Sequence, residues 1–148
     1  MTKILFVCHG NICRSPMAEF IMKDLVKKAG RSEDYYIESA ATSDDETGNP
    51  VYPPARRKLE ALSIDCSKKR ARRLVPSDYE KFDYIIGMDE ENRRNMKRLF
   101  LGDPKNKVSL LLDFTLPPRQ VADPWYTGDF DATLKDVLEG CKHLLKTT

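Results

Sequence analysis

Cys8 and Arg14 stand at the two ends of Val7-Cys8-His9-Gly10-Asn11-Ile12-Cys13-Arg14-Ser15-Pro16, and between them they could handle a phosphoryl group. Arg14 is permanently charged, and its planar fork matches two phosphoryl oxygens at once. Cys8, beside that charge and the start of a helix, is expected to ionise below the free-thiol value of roughly 8.5. Ser15 has a hydroxyl proton to donate to the thiolate. Gly10 lets the backbone approach a ligand, and Asn11 belongs to the few side-chain types that tolerate a left-handed conformation. A nucleophile thus shares one turn with an anion cradle made of His9, Gly10, Asn11, Ile12, Cys13, Arg14 and Ser15.

The flanking residues place that turn. Ile4-Leu5-Phe6-Val7 reads as a fully buried strand, and Cys8 leaves its end. After Pro16, apolar residues recur at helical spacing through Phe20, Ile21, Leu25 and Val26. Pro16 falls near the first turn, where its missing N–H costs little. The helix is expected from about Ser15 to Lys28, closing near Gly30, with its positive end aimed at the turn. Tyr35-Tyr36-Ile37 forms a second strand that ends at Glu38-Ser39. Strand, helix and strand imply a parallel pair with a right-handed crossover, so Ser39 reaches the same carboxyl edge as Cys8. Its hydroxyl is then placed to bond the Asn11 side chain, or it simply ends the strand.

Thr42 to Pro50 is polar loop, expected to form one wall of the pocket. Asp44, Asp45 and Glu46 would make that wall acidic and disfavour acidic peptides, unless the loop is merely solvated. Pro54 to Leu62 alternates apolar and charged residues as an amphipathic helix. The basic run Lys68-Lys69-Arg70-Ala71-Arg72-Arg73 is expected to be a solvated face paired with nearby carboxylates, with no nucleic-acid fold around it. Further strands are expected at Phe82–Gly87 and Val108–Leu112. Acidic residues from Asp89 suit the start of an intervening helix. Asp113 to Val121 is a loop leading to Asp123, and a helix over Phe130–Leu145 closes the sequence. Four strands alternating with helices give one α/β domain over residues 1–148, a four-stranded parallel sheet with helices on both faces. Its binding site belongs at the carboxyl edge of the sheet.

Composition narrows the setting. A net charge of +2 is too small to imply a nucleic-acid or membrane partner. No apolar stretch approaches the length of a membrane span. Lys3 followed by a four-residue apolar run does not read as a signal peptide. Four cysteines at uneven spacing form neither a secreted disulfide framework nor a zinc site, so a reducing cytoplasm is expected. No metal or cofactor is called for.

Val7 to Glu19 resembles the signature of the low-molecular-weight protein tyrosine phosphatases. The likeness continues through Ser39-Ala40-Ala41-Thr42, Gly48-Asn49-Pro50, Phe82 to Asp89 and Asp123-Pro124-Trp125-Tyr126. It implies the flavodoxin-like strand order 2-1-3-4 and metal-independent hydrolysis of phosphotyrosine in proteins through a phosphocysteine, with inorganic phosphate as product. It also implies Cys8 as nucleophile, Arg14 as phosphate ligand and Asp123 as general acid. Neither histidine competes for that role, since His9 is expected to matter for its backbone more than its ring and His143 lies on the last helix. Pro124 restricts Asp123 to extended geometry, which helps fix the carboxyl direction. Trp125 and Tyr126 would flank the pocket as aromatic walls, or pack as ordinary loop aromatics. Where relatives commonly carry a His under the loop, this chain has Lys69, which is expected to pair with Glu19. An aromatic residue of many relatives is replaced by Asp45. The family also implies that Cys13 traps an oxidised Cys8 as a disulfide, the bland alternative being a small buried residue.

Three rivals stay open. Arsenate reductases of this architecture relay through a further cysteine pair, and Cys66 and Cys141 stand alone. Phosphoarginine phosphatases tend to carry Thr where Ile12 stands. A phosphoprotein-binding module without turnover would be expected to lack the thiol or the acid.

Overall fold

The first strand, β1 (Thr2–Cys8), is the axis of the molecule because both of its faces are covered. The computed structural model describes residues 1–148. Ile4, Phe6 and Cys8 enter one apolar cluster, and Leu5 and Val7 enter another. A strand buried on both sides has no polar face, which is why its residues read as a continuous apolar run. On one face lie α1 (Arg14–Lys28), α2 (Pro53–Ala61) and α6 (Phe130–Thr147), which contribute Met17, Ile21, Leu59, Val137 and Cys141. On the other lie α3 (Asp78–Lys81) and α4 (Glu90–Leu99), contributing Tyr79 and Met96.

The remaining strands are β2 (Tyr35–Ala41), β3 (Tyr84–Gly87) and β4 (Val108–Leu110). All pairs are parallel, in the order β2-β1-β3-β4. The expected fold class and strand order therefore hold. No helix is long and apolar enough to cross a membrane.

Several boundaries differ from the sequence reading, each for a local reason. β2 runs on to Ala41, which pairs with Cys8, so Ser39 lies opposite Phe6 inside the strand. The third strand begins only at Tyr84. Phe82 instead caps α3 and is buried in the second cluster, while Asp83 accepts a hydrogen bond from the Lys3 N–H (2.8 Å). β4 stops at Leu110, whose N–H is taken by the Asp113 carboxylate (2.9 Å), turning the chain. α1 ends as expected: Gly30 adopts φ +70°, and the Arg31 N–H returns to Val26 O at 2.8 Å. A short helix that the sequence reading lacked, α5 (Pro124–Thr127), sits between Asp123 and α6.

Candidate active site

The turn from Cys8 to Arg14 joins the carboxyl end of β1 to the start of α1. Asn11 takes φ +58°, the left-handed backbone that its short amide tolerates. That twist points its side chain inward, where it is buried and fully used. Nδ2 donates to Ser15 Oγ (2.8 Å) and Ser39 Oγ (2.9 Å), and Oδ1 accepts from the Arg72 N–H (3.2 Å). Ser39 in turn donates to Glu19 Oε1 at 2.5 Å. The expected bond between Ser39 and Asn11 is therefore present, and Glu19 extends it. Lys69 Nζ lies 3.4 Å from Glu19 Oε1 and donates to Ser39 O (2.9 Å), and Lys23 reaches Glu19 Oε2 (2.6 Å). Burial pulls the Lys69 ammonium below its ordinary value, with Glu19 opposing the shift.

The other end of this network is the thiol. Ser15 Oγ lies 3.0 Å from Cys8 Sγ, and the Ser15 N–H points at the same sulfur from 3.4 Å. Both donors come from the first turn of α1, so the helix terminus itself holds the sulfur.

Arg14 is the largest of the fully buried side chains. Both N–H groups of Nη1 are committed, to Asp89 Oδ2 (2.7 Å) and to Val121 O (2.9 Å). Nη2 donates to Asp123 Oδ2 at 3.3 Å. Nε–H and the second Nη2 hydrogen remain for a ligand. Burial works against the guanidinium charge, but Cys8, Asp89 and Asp123 outweigh it and hold Arg14 above its ordinary value. Asp89 was legible only as a helix-start acid. It does that too, capping α4 through the Asn92 N–H (2.8 Å), and its second oxygen turns to Arg14.

Asp123 caps α5, accepting from the Trp125 N–H at 3.0 Å, so the short helix aims its carboxylate at Arg14. Cys8, Cys13, Arg14 and Asp123 border a cavity of about 190 Å³. Trp125, Tyr126, Asp45 and Glu46 complete its rim. Trp125 is half exposed and packs on Tyr52, ring centroids 5.0 Å apart, whereas Tyr126 is 84% exposed. Tyr52 had no signal in the sequence beyond its place before a proline pair.

The rim adds contacts that the sequence did not show. The His9 ring is engaged, with Nε2 2.8 Å from Asp45 Oδ2, in addition to the backbone carbonyl that accepts from Ser43 Oγ (2.9 Å). The acidic wall is present, with Asp45 and Glu46 on the cavity; Asp44 pairs with Arg73 (2.5 Å), and Glu46 accepts from the neutral Asn49 amide (2.5 Å). The basic run is paired in part, with Arg72 joining Asp78 (3.1 Å) and Glu38 (3.7 Å), Arg73 joining Asp44 and Lys69 joining Glu19, while Lys68 and Arg70 have no ion pair.

All four cysteines are free thiols and buried. Burial pushes the Cys13 thiol well up, and the charges of Cys8 and Asp123 push it further. Cys66 and Cys141 lie in the large apolar cluster.

The family model described as low molecular weight phosphotyrosine protein phosphatase matches residues 3–148. The chain belongs to this family. It is 36% identical over 147 residues to the low molecular weight protein-tyrosine-phosphatase YfkJ of Bacillus subtilis, covering 98% of this chain and 94% of that protein. The YfkJ crystal structure superposes with a TM-score of 0.95 over 99% of this chain and 94% of that one. The low molecular weight protein tyrosine phosphatase SP-PTP of Streptococcus pyogenes gives 0.89 at 41% identity, covering 99% and 93%. A Drosophila arginine phosphatase, DARP, also gives a TM-score of 0.88 at 30% identity, covering 99% and 97%. Membership in this phosphatase family thus carries the fold and the general reaction class, and the residues around Cys8 carry the rest.

Proposed function

We propose that this phosphatase hydrolyses phosphotyrosine in proteins through a phosphocysteine on Cys8. The observation that carries the reading is the meeting of Cys8, Arg14 and Asp123 on one small cavity whose sulfur is in hydrogen-bond reach of both the Ser15 hydroxyl and the Ser15 N–H. Cys8 Sγ attacks phosphorus while the bond to the phenolic oxygen breaks, and protonated Asp123 gives its proton to that oxygen. The loop N–H groups from His9 to Arg14 and the uncommitted N–H groups of Arg14 hold the equatorial oxygens. Water then attacks phosphorus, Asp123 takes its proton, the S–P bond breaks and inorganic phosphate leaves. The guanidinium and amides supply the positive field that such chemistry needs. Asn11, Ser15 and Ser39 support the loop, and Trp125 is the wall for the phenyl ring, with Tyr126 farther out.

Cys13 completes the reading as a redox partner. Peroxide converts Cys8 to a sulfenic acid, the Cys13 thiol condenses with it to a disulfide and water, and a reductant restores both thiols. Four free cysteines fit a reducing cytoplasm, and the partly paired basic run fits a protein without a nucleic-acid partner.

The test is phosphate release, in chelator and thiol reductant, from a phosphotyrosine peptide, a phosphoserine peptide and phosphoarginine, with arsenate reduction measured alongside. Turnover of the tyrosine peptide alone is expected. The similarity to an arginine phosphatase makes phosphoarginine the comparison that matters, and preferential turnover of it overturns the substrate assignment. Arsenate reduction would require a relay that buried Cys66 and Cys141 are badly placed to supply. Cys8→Ser is expected to abolish turnover yet still bind phosphate, and residual activity would remove Cys8 as nucleophile.

A further inference from the structure

His9 borders two cavities. One is the site around Cys8. The other, of about 380 Å³, is also lined by Thr42, Ser43, Arg73, Asn95 and Arg98. No carboxylate lines this second cavity, and Asp44 reaches it only through its pair with Arg73. Arg98 has no ion pair: its guanidinium donates to Asn95 Oδ1 at 3.3 Å. Arg94 and Lys97 on the same helix are likewise unpaired, while Arg93 is held by Glu90 and Asp113. Asp44 of the acidic loop is paired with Arg73, and Asp45 and Glu46 line the cavity around Cys8 instead, so the uncompensated charge lining this second cavity is positive.

Two neutral donors on the wall are uncommitted. Asn95 uses its oxygen on Arg98, which leaves its amide hydrogens free. Thr42 Oγ1 is the one buried side-chain oxygen or nitrogen in the protein without a hydrogen-bond partner. An unpaired buried hydroxyl is uncommon, and Thr42 belongs to the same cavity lining as Arg73 and Arg98. His9, whose ring is tied to Asp45, lines both this cavity and the one around Cys8.

We propose that this cavity is a subsite for an anionic side chain, a carboxylate or a second phosphoryl group, borne by the same protein substrate close to its phosphotyrosine. Arg98 and Arg73 are its cations, and Asn95 its neutral donor. The subsite rests on the phosphotyrosine reading and extends it to a substrate class. It reverses the expectation from sequence that acidic peptides are disfavoured.

The experiment compares kcat/KM for free phosphotyrosine and for phosphotyrosine peptides with neutral flanks, with flanking Glu, or with flanking phosphoserine. The enzymes are wild type, Arg98→Glu and, as a cation of the same helix outside the cavity, Arg94→Glu. Wild type is expected to favour the acidic peptides by about fivefold, the scale of a partly exposed charge contact. Arg98→Glu is expected to abolish that preference and Arg94→Glu to retain it, with free phosphotyrosine turned over equally by all three. Whichever acidic peptide is preferred identifies the anion. A preference untouched by Arg98→Glu, or lost equally in Arg94→Glu, overturns the subsite, as does its absence from wild type. No turnover of free phosphotyrosine by wild type overturns the functional reading and the subsite with it.

Discussion

Ser15 Oγ lies 3.0 Å from Cys8 Sγ, and with Cys8 as the thiolate nucleophile the only proton in that pair is the hydroxyl's. Asn11 Nδ2 donates to the same oxygen, which occupies one of its two lone pairs and leaves the hydroxyl proton free for the thiolate. The direction is inherited further back. Asn11 is oriented by Ser39, and Ser39 by Glu19, whose carboxylate accepts and cannot donate. A hydrogen-bond chain of fixed polarity therefore ends on the nucleophile.

Removing the last link tests that polarity. A hydrogen bond to a charged acceptor is worth about 1.5–3 kcal/mol. Ser15→Ala is thus expected to slow phosphocysteine formation by about ten- to a hundredfold, read as the burst rate with an aryl phosphate. Phosphate affinity should change little, because Arg14 and the loop amides remain. An unchanged burst rate would mean that the Ser15 N–H alone holds the sulfur.

Asn11 tests the support beneath the loop. Asn11→Ala strands its buried partners and puts a Cβ-only side chain at φ +58°. The expected cost is about 2–4 kcal/mol from unmet hydrogen bonds and left-handed strain. Thermal unfolding should fall accordingly, by about 2–4 °C per kcal/mol for a chain of this size. Asn11→Gly relieves the backbone strain and keeps only the hydrogen-bond loss, so it should lie between the two. Equal melting of Ala and Gly variants would assign the whole effect to the lost bonds.

The fold and the centre of the site were legible because local signals agreed with one another. An apolar run, a Gly-Asn turn, Arg-Ser-Pro and a periodic helix leave little freedom around Cys8. Long-range partners were less legible. Asp89 shows only its helix-capping role in sequence, and its turn toward Arg14 depends on β3 lying beside β1. Tyr52 meets Trp125 across a large stretch of chain, and no periodicity announces such a contact. Strand ends at Tyr84 and Leu110 were misplaced because Phe82 and Leu112 are apolar for reasons of packing rather than pairing. Asp-Pro followed by Gly128 did carry a helix signal, an N-cap, a proline at the first position and a left-handed stop, within too few residues to show a period.

Tyr52 gives a third prediction. An aromatic pair adds about 0.5–1.5 kcal/mol beyond area burial, so Tyr52→Ala should loosen Trp125 and raise KM for aryl phosphates about two- to tenfold. Alkyl phosphates, which have no ring to stack, should be unaffected. A matching rise for both would show a loop defect instead of a lost wall. Tyr126→Ala, at an exposed side chain, should change either KM less than Trp125→Ala does.

Cys141 sets a pH dependence with a definite sign. It is completely buried against Ala18 O, and burial alone pushes its thiol above the ordinary value of 9.0. A group raised on folding contributes stability that is full below the unfolded value and is lost as pH climbs past it. Cys141→Ala should cost about 1 kcal/mol near neutral pH from the deleted sulfur. Above pH 9 the gap to wild type should shrink, by at most about 1.4 kcal/mol per pH unit. Urea unfolding at pH 7, 9 and 10 measures it. Cys13, raised in both proteins, cancels in the difference, and a gap constant with pH would mean that the Cys141 thiol ionises as readily folded as unfolded.

Asp123 is the group on which the reaction assignment turns. It is held from two sides, by the Trp125 N–H on Oδ1 and Arg14 Nη2 on Oδ2; Asp123→Asn keeps the side chain's size, removes the proton it donates and gives up one of these two bonds, since an amide has a single oxygen. A poor leaving group such as phenol depends on that proton, and positioned acids contribute about 10²–10⁴-fold. A nitrophenolate leaves as a stable anion and depends on it far less. Asp123→Asn should therefore slow phenyl phosphate by at least about a hundredfold while slowing release of nitrophenol from its phosphate ester much less. Phosphocysteine should also accumulate with the activated substrate, since water loses its base, and quenched-flow mass spectrometry would find the added phosphoryl mass on the peptide containing Cys8. Equal losses on both esters would show that Asp123 only anchors Arg14, and the acid would have to be sought elsewhere on the rim.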